Sequence, residues 1–413
     1  MAVFKAIQCH RVRQDVASRV AELPYDIYSR QEAVELSKKE PLSFIRIDRA
    51  DSQMDDSVDT YEGKVYQKAR QLLDEMIDEG YFIKDEEPCY YVYELTMDGR
   101  VQTGLVGGCS IDDYNNGVIK KHEKTLAIKE GDRIRHISGC MAQTGLIFMA
   151  YRGKEEISRM IAQAKEQDAW YDFTRPDGIR HRAWRISDPE QIAALEAAFA
   201  AVDSIYVCDG HHRLAAAANV GRVMREANPG YTGDEPYNYI LSVLFPAEDL
   251  YIMPYNRVVA DLGRHEKDEF FQLLSEHYDI TECGTEGYAP VHKGQFGMYL
   301  DGLWYKLDAH EDILSDDPVK GLDVSLIHSS IIFPILRVIH PRRDPRIKYI
   351  GGIRGLPELI RIIGMGFRVA FSLYPTSIDE LFEVADRGLL MPPKSTWFEP
   401  KLLSGLWIHR IVS

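Results

Sequence analysis

Ile205-Tyr206-Val207-Cys208-Asp209-Gly210-His211-His212-Arg213-Leu214-Ala215-Ala216-Ala217-Ala218 is the stretch on which the reading of this chain turns. Ile205 to Val207 are β-branched and aromatic, which predicts a short buried strand, and the alanine run has very high helix propensity. Asp209 to Arg213 is therefore expected at the carboxyl end of a strand and the mouth of a helix. A helix start presents N–H groups and the positive end of a dipole, the arrangement that binds phosphate oxygens, and Gly210 lets a ligand approach the backbone closely. Arg213 adds a bidentate clamp, and the imidazoles of His211 and His212 donate hydrogen bonds or move protons. The competing reading makes Asp209 a helix cap and the histidines core residues. Four chemically capable side chains on one turn argue against it, because each must be satisfied if none serves a ligand. Adjacent histidines diverge, and the His-x3-His spacing of a helical metal site is absent.

Working outward, Leu214 to Asn228 continues as helix, and Tyr239 to Phe245 and Tyr251 to Val259 read as strands. Upstream, Asp188-Pro189 opens a helix through Ala201, with Asp188 as cap and Pro189 at the tolerated first position. Lys154 to Gln167 is helical in pattern. Met97-Asp98-Gly99-Arg100 and Asp177-Gly178 each lie between β-rich runs and predict hairpins, as does Asp301-Gly302 further on. Near the amino terminus, Val3 to Val12 reads as a strand, Leu23 to Asp26 as a turn, Gln31 to Lys38 as a helix and Phe44 to Ile47 as a second strand. Tyr61 to Glu79 reads as an amphipathic helix stopped at Gly80. The later segments read as a helix from Lys267, an apolar helix from Val324 to Arg337 and a terminal series ending in Met391 to Ile408. Parallel and antiparallel pairing are both implied, in a mixed α/β chain.

Composition limits the functions open to it. The 413 residues are 45% apolar and 27% charged, the balance of a chain that folds throughout, and they exceed one small domain. Acidic residues outnumber basic ones 64 to 49, a net charge of -15. Such a surface repels polyanions, and no basic run supplies the counterion release a nucleic-acid binder needs. The start lacks a secretory signal and no stretch is apolar for the depth of a bilayer, so a cytoplasmic protein with neither nucleic acid nor membrane as partner is expected. The six cysteines are scattered and read as reduced, buried thiols. Cys208, beside the central loop, is the one to watch.

Two further constellations carry candidate chemistry. In Lys120-Lys121-His122-Glu123-Lys124-Thr125, followed by Asp132-Arg133, Glu123 is a candidate base for a hydroxyl and the lysines neutralise phosphate. The plainer alternative is a solvated charged loop. Met391-Pro392-Pro393-Lys394-Ser395-Thr396-Trp397-Phe398-Glu399-Pro400-Lys401 is a rigid loop whose Lys394, Ser395, Thr396 and Lys401 are donors for an anion; its alternative is an anchor for the last strand. It is no Walker loop. Gly104 to Gly108 and Gly351 to Gly355 do not complete a dinucleotide fingerprint.

With these pieces assembled, the chain resembles a widespread, uncharacterised bacterial and archaeal family marked by Asp-Gly-His-His-Arg. The matching stretches are Leu23-Pro24-Tyr25-Asp26, Asp113 to Thr125, Asp132-Arg133, Tyr206 to Arg213 and Met391 to Leu406, which together span the chain. The family usually has Pro-Pro-Tyr-Asp where this chain has Leu23-Pro24. Its motif is similar in turn to the Asp-Gly-x-His-Arg loop of the free-serine kinases, which share a fold with the ParB nucleotide-binding domain and sulfiredoxin.

The resemblance implies a ParB/sulfiredoxin-like core with additional α/β regions, divided as residues 1–105, 106–260 and 261–413. It implies a phosphotransferase acting on a small hydroxyl metabolite, free L-serine foremost. Glu123, His122, Asp209 and His212 would be catalytic. Gly210, His211, Arg213, Arg133, Lys394, Ser395, Thr396 and Lys401 would hold phosphate or nucleotide. Mg²⁺ would sit on Asp209 or Glu123, Asp209 foremost, and ATP, ADP or pyrophosphate would serve as donor. Two rivals use the same fold: a non-catalytic nucleotide-binding regulator, and a ParB-like protein acting on nucleic acid, which the acidic charge opposes. Acceptor, donor and oligomeric state are not fixed by the sequence.

Overall fold

The computed structural model describes residues 1–412 and has mixed α/β architecture, its contacts gathered into two compact units. The first comprises 1–121, 125–250 and 400–413; the second comprises 122–124 and 251–399.

The first unit is built on a nine-stranded sheet. Its order is Ile119–Lys120, Ile205–Asp209, Ile147–Tyr151, Tyr239–Pro246, Arg100–Ser110, Tyr90–Met97, Arg180–Ile186 and Tyr171–Thr174, with Phe4–Lys5 also paired to Arg100–Ser110. Ile205–Asp209 runs parallel to Ile119–Lys120, Tyr239–Pro246 runs parallel to Ile147–Tyr151, and the remaining pairs are antiparallel. Strands from 1–105 and from 106–260 thus share one sheet. The antiparallel edge comes from the expected hairpins. Asp98 and Gly99 take φ of 51° and 79°, the left-handed pair that a tight hairpin turn between twisted strands requires. Gly107 lies inside the long strand, where a Cβ would come within 2.6 Å of the Phe4 ring, so its smallness serves packing rather than a dinucleotide.

Helices Ala127–Cys140 and His211–Ala227 pack together against this sheet. Leu214, Ala216, Ala217 and Val220 of the second helix bury themselves among Ile147, Met149, Val207 and Ile240. This fixes where the helix starts. A four-stranded sheet, Phe82–Lys84, His10–Val12, Ser404–Arg410 and Ala142–Gly145, completes the unit. Trp407 on its terminal strand meets the rings of Tyr93, Tyr91 and Tyr171 at 5.2, 5.5 and 6.0 Å, which anchors the returning carboxyl end.

The second unit has a six-stranded antiparallel sheet in the order Tyr278–Gly284, Leu303–Ala309, Gln295–Leu300, Val369–Leu373, Tyr255–Val259 and Ile347–Gly351. Leu359 and Ile362 of helix Gly355–Gly364 pack with Val258, Trp304, Ile350 and Ala370. Asp301 and Gly302 turn its expected hairpin.

Several local expectations are corrected. Phe44 to Ile47 is not a strand: Ile45–Asp48 is a helical turn, and Phe44, Ile45 and Ile47 are all buried, so packing rather than β-propensity decides. Val3 to Val12 breaks into Phe4–Lys5, a single bridge at Ile7, and His10–Val12. Tyr251 to Val259 breaks between Ile252–Met253 and Tyr255–Val259 at Pro254, which has no N–H for a ladder. Val324 to Arg337 is helical only through Ile332, two residues short of Pro334. The helix after the central loop starts at His211, three residues before Leu214.

Candidate functional site

The strand Ile205–Asp209 ends at the carboxylate, Gly210 turns the chain at φ 93° and ψ 25°, and helix His211–Ala227 begins at once. The left-handed turn is what glycine permits and other residues resist. The N-cap of this helix, Gly210, has no side chain with which to cap it. Asp209 does not do so, because its Oδ1 accepts the N–H of Gly210 at 2.7 Å. The first-turn N–H groups, from His211 onward, therefore form the kind of helix start that favours an anion.

Two cations meet at this loop, one from a distant part of the chain and one from its own first helical turn. Lys401 Nζ lies 2.8 Å from Asp209 Oδ2. Arg213 folds back across the turn: a Cβ on Gly210 would stand 3.1 Å from its Nη2, and its Nη1 donates to the Leu146 carbonyl at 2.9 Å. Burial pushes the Asp209 carboxyl upward, but Lys401 and Arg213 outweigh it and hold the group well below the usual carboxylate range. Asp209 is thus ionised at neutral pH, with a side chain still 35% exposed. One such carboxylate, with phosphate and water oxygens, matches the donor set Mg²⁺ takes in nucleotide sites, and Lys401 competes for the same Oδ2. Among the described residues no group of three or more His, Cys, Asp or Glu side chains has the geometry for a metal ion.

His212 Nε2 accepts the backbone N–H of Leu126 at 3.0 Å, next to the start of helix Ala127–Cys140. In its neutral form this imidazole consequently carries its proton on Nδ1. His211, in the same turn, is buried. Cys208 is buried too, and burial drives its thiol far above the ordinary value, so it is a packed residue without nucleophilic character.

Arg133 stands in helix Ala127–Cys140. Its Nε and Nη2 reach Asp132 Oδ2 at 2.9 and 2.7 Å, and its guanidinium lies 3.8 Å over the Tyr25 ring. Around it opens a cavity of about 270 Å³ lined by Tyr25, Asp48, Asp51, Tyr66, Asp132 and His136 among others. A second hollow of only about 20 Å³ is lined by Arg213 and Gly145 together with Tyr25, Asp48, Arg133 and His136. Asp48 and His136 were not singled out by the sequence. His136 follows Asp132 by four residues and Arg133 by three, the spacing of one helix face, and that was the available signal.

The other candidates belong to the second unit. The His122 carbonyl accepts the Met391 N–H at 2.8 Å, and His122 Nε2 is 3.3 Å from Thr396 Oγ1. Glu123 lies in the same short segment, 122–124. Ser395 Oγ donates to the Pro392 carbonyl at 2.7 Å, closing the proline loop on itself. Lys394 takes φ 62°, with its carbonyl accepting from buried Arg257 at 2.9 Å and its ammonium 5.6 Å over the Tyr255 ring. Of the loop Met391 to Lys401, Lys394 to Thr396 stay with this unit, and Lys401 joins Asp209 in the first.

Residues 2–325 match the family described as "Protein of unknown function (DUF1015)". The chain belongs to that family. Among curated proteins no match is found. Among solved structures it is similar to a free serine kinase in complex with AMP, at 14% identity and TM-score 0.35 over 71% of this chain and 86% of that one. A free serine kinase variant in complex with ADP gives 13% and 0.36 over 72% and 88%. A conserved hypothetical protein from Pyrococcus furiosus gives 12% and 0.33 over 73% and 94%. These likenesses are loose. No helix among the described residues is long and apolar enough to cross a membrane.

Proposed function

We propose that this chain is a phosphotransferase that moves a phosphoryl group onto the hydroxyl of a small metabolite, with free L-serine as the leading acceptor. The observation that carries the reading is the helix start after the left-handed turn at Gly210, joined by Arg213 and by Lys401, which arrives from 192 residues away. Positive charge and N–H groups concentrated at one turn suit a phosphoryl group, whose transfer depends chiefly on positioning and charge neutralisation. The sequence likeness of Asp209-Gly210-His211-His212-Arg213 to the phosphate loop of free-serine kinases supports the same reading.

In this mechanism the acceptor oxygen forms a bond to the terminal phosphorus of the donor as the bridging P–O bond breaks. The bonding pair leaves with the shortened donor, and the hydroxyl proton passes to a base. Arg213 and the first-turn N–H groups hold the phosphoryl oxygens. Asp209 would supply one oxygen to Mg²⁺, which when bound neutralises the donor's phosphates.

The test is incubation of purified protein and Mg²⁺ with ATP, ADP or pyrophosphate and a panel of free amino acids, read by ³¹P NMR. A phosphomonoester such as phosphoserine is the expected product. Nucleotide binding without product under any pairing would replace the kinase reading with that of a regulator.

A further inference from the structure

The cavity around Arg133 has an unusual wall. It carries four carboxylates, Asp48, Asp51, Asp59 and Asp132. Asp51 is gripped by Arg49 at 3.0 and 2.9 Å, and Asp132 by Arg133 at 2.9 Å and by the Tyr66 hydroxyl at 2.8 Å. Asp59 accepts the Tyr61 N–H at 2.8 Å near the surface. Asp48 differs. It is 6% exposed, and its Oδ1 takes the Thr144 hydroxyl at 3.0 Å with His136 Nε2 3.7 Å away. Burial and the Arg133 charge keep His136 neutral. Among the described residues no Lys or Arg makes an ion pair with Asp48; burial raises its carboxyl above the usual range, and the Arg133 charge, the Ser404 and Thr144 hydroxyls and the Arg213 charge offset this only in part.

A buried carboxylate left without a contacting cation is costly, and an ion or ligand that supplies one is bound correspondingly well. The same wall is hostile to phosphate, since it holds more carboxylates than guanidiniums and both guanidiniums are engaged by Asp51 and Asp132. Tyr25, Tyr61 and Tyr66 also line it, their rings faced by the guanidiniums of Arg133 and Arg135. Asp48 also lines a second, much smaller hollow together with Arg213, so a ligand that Asp48 holds by its amine in the larger cavity is anchored on the side of the loop assigned to phosphate.

We infer that this cavity is the acceptor pocket and that Asp48 is its specificity-determining residue, selecting a small alcohol that carries an ammonium group. The inference rests on the phosphotransferase reading for the word acceptor, but its test is a binding test. Calorimetry would compare L-serine with glycerate, which has a hydroxyl in place of the ammonium, and ethanolamine with ethylene glycol. In the wild type the amine of each pair should bind at least about tenfold tighter, a difference of roughly 1.4 kcal/mol. Asp48→Asn, which keeps the shape and removes the charge, should abolish the preference.

Equal affinities within both pairs, no binding of either amine, or a preference that survives Asp48→Asn would each overturn the assignment. Where Asp48→Asn fails to fold, a crystal structure of the wild type with L-serine decides: the ligand nitrogen within hydrogen-bond reach of Asp48 supports the pocket, and a ligand seated elsewhere refutes it. Amine-selective binding without phosphorylated product from any donor would leave this inference standing and remove the kinase reading. Phosphorylation of glycerate as readily as serine would do the reverse.

Discussion

Lys401 and Asp209 are 192 residues apart and their charged atoms are 2.8 Å apart. The contact exists because the strand Ser404–Arg410 returns to the first unit and is locked there by Trp407. It places a cation at the head of the loop and keeps the Asp209 carboxyl depressed.

Replacing Lys401 with Met should therefore raise the Asp209 pKa and weaken phosphate binding at neutral pH. A carboxylate whose folded pKa lies below its unfolded value stabilises above the unfolded value and loses that contribution as pH falls through the folded one. The wild type should exceed Lys401→Met in stability near pH 7, by roughly 1 kcal/mol for a part-buried pair whose carboxylate is still reached by solvent, and the two should converge in strong acid. Urea unfolding across pH checks this, and a difference that grows on acidification would contradict it.

Gly210→Ala tests the turn. At φ 93° an added Cβ is strained and also meets the Arg213 guanidinium. A loss of roughly 1–2 kcal/mol in stability is expected, with phosphate affinity falling more than stability does. Unchanged melting would mean the loop adopts another conformation.

His212 accepts a backbone N–H through Nε2, and the side-chain oxygen of Gln reaches a similar position. His212→Gln should melt close to the wild type, whereas His212→Leu should lose about 1 kcal/mol from the orphaned Leu126 N–H. Equal melting of the two variants would show that the bond contributes nothing.

Thiol chemistry separates packed from accessible cysteines. Cys283 is partly exposed, whereas Cys208 is buried and its thiol is held protonated. Brief alkylation of native protein near pH 8 should label Cys283 and spare Cys208, as read by peptide mass spectrometry. Rapid labelling of Cys208 would make it a reactive group after all.

Much of this was legible in the residues because it rests on local rules. Asp98-Gly99, Asp177-Gly178 and Asp301-Gly302 all turn hairpins, and Asp188 caps its helix by accepting the N–H groups of Glu190 and Gln191. The strand and helix flanking Asp209 to Arg213 were equally plain. Phe44 to Ile47 was not, because three buried apolar residues around a partly buried Arg46 make a run too short for its period to separate strand from helix. Asp48 was missed for a related reason. An acid at the end of such a run looks like a surface residue until tertiary packing closes over it, and its neighbours Thr144 and His136 lie roughly ninety positions further on.

The most direct test of the central claim compares the rate of phosphomonoester formation by wild type and Arg213→Ala, with melting curves for both. Losing the Leu146 contact should lower stability by about 1–2 kcal/mol and leave a folded protein. The rate should nevertheless fall roughly 30-fold or more, as expected when a guanidinium that spans phosphoryl oxygens is removed. A folded Arg213→Ala that turns over at the wild-type rate would make Arg213 a scaffold residue and contradict the assignment of this loop to phosphoryl transfer.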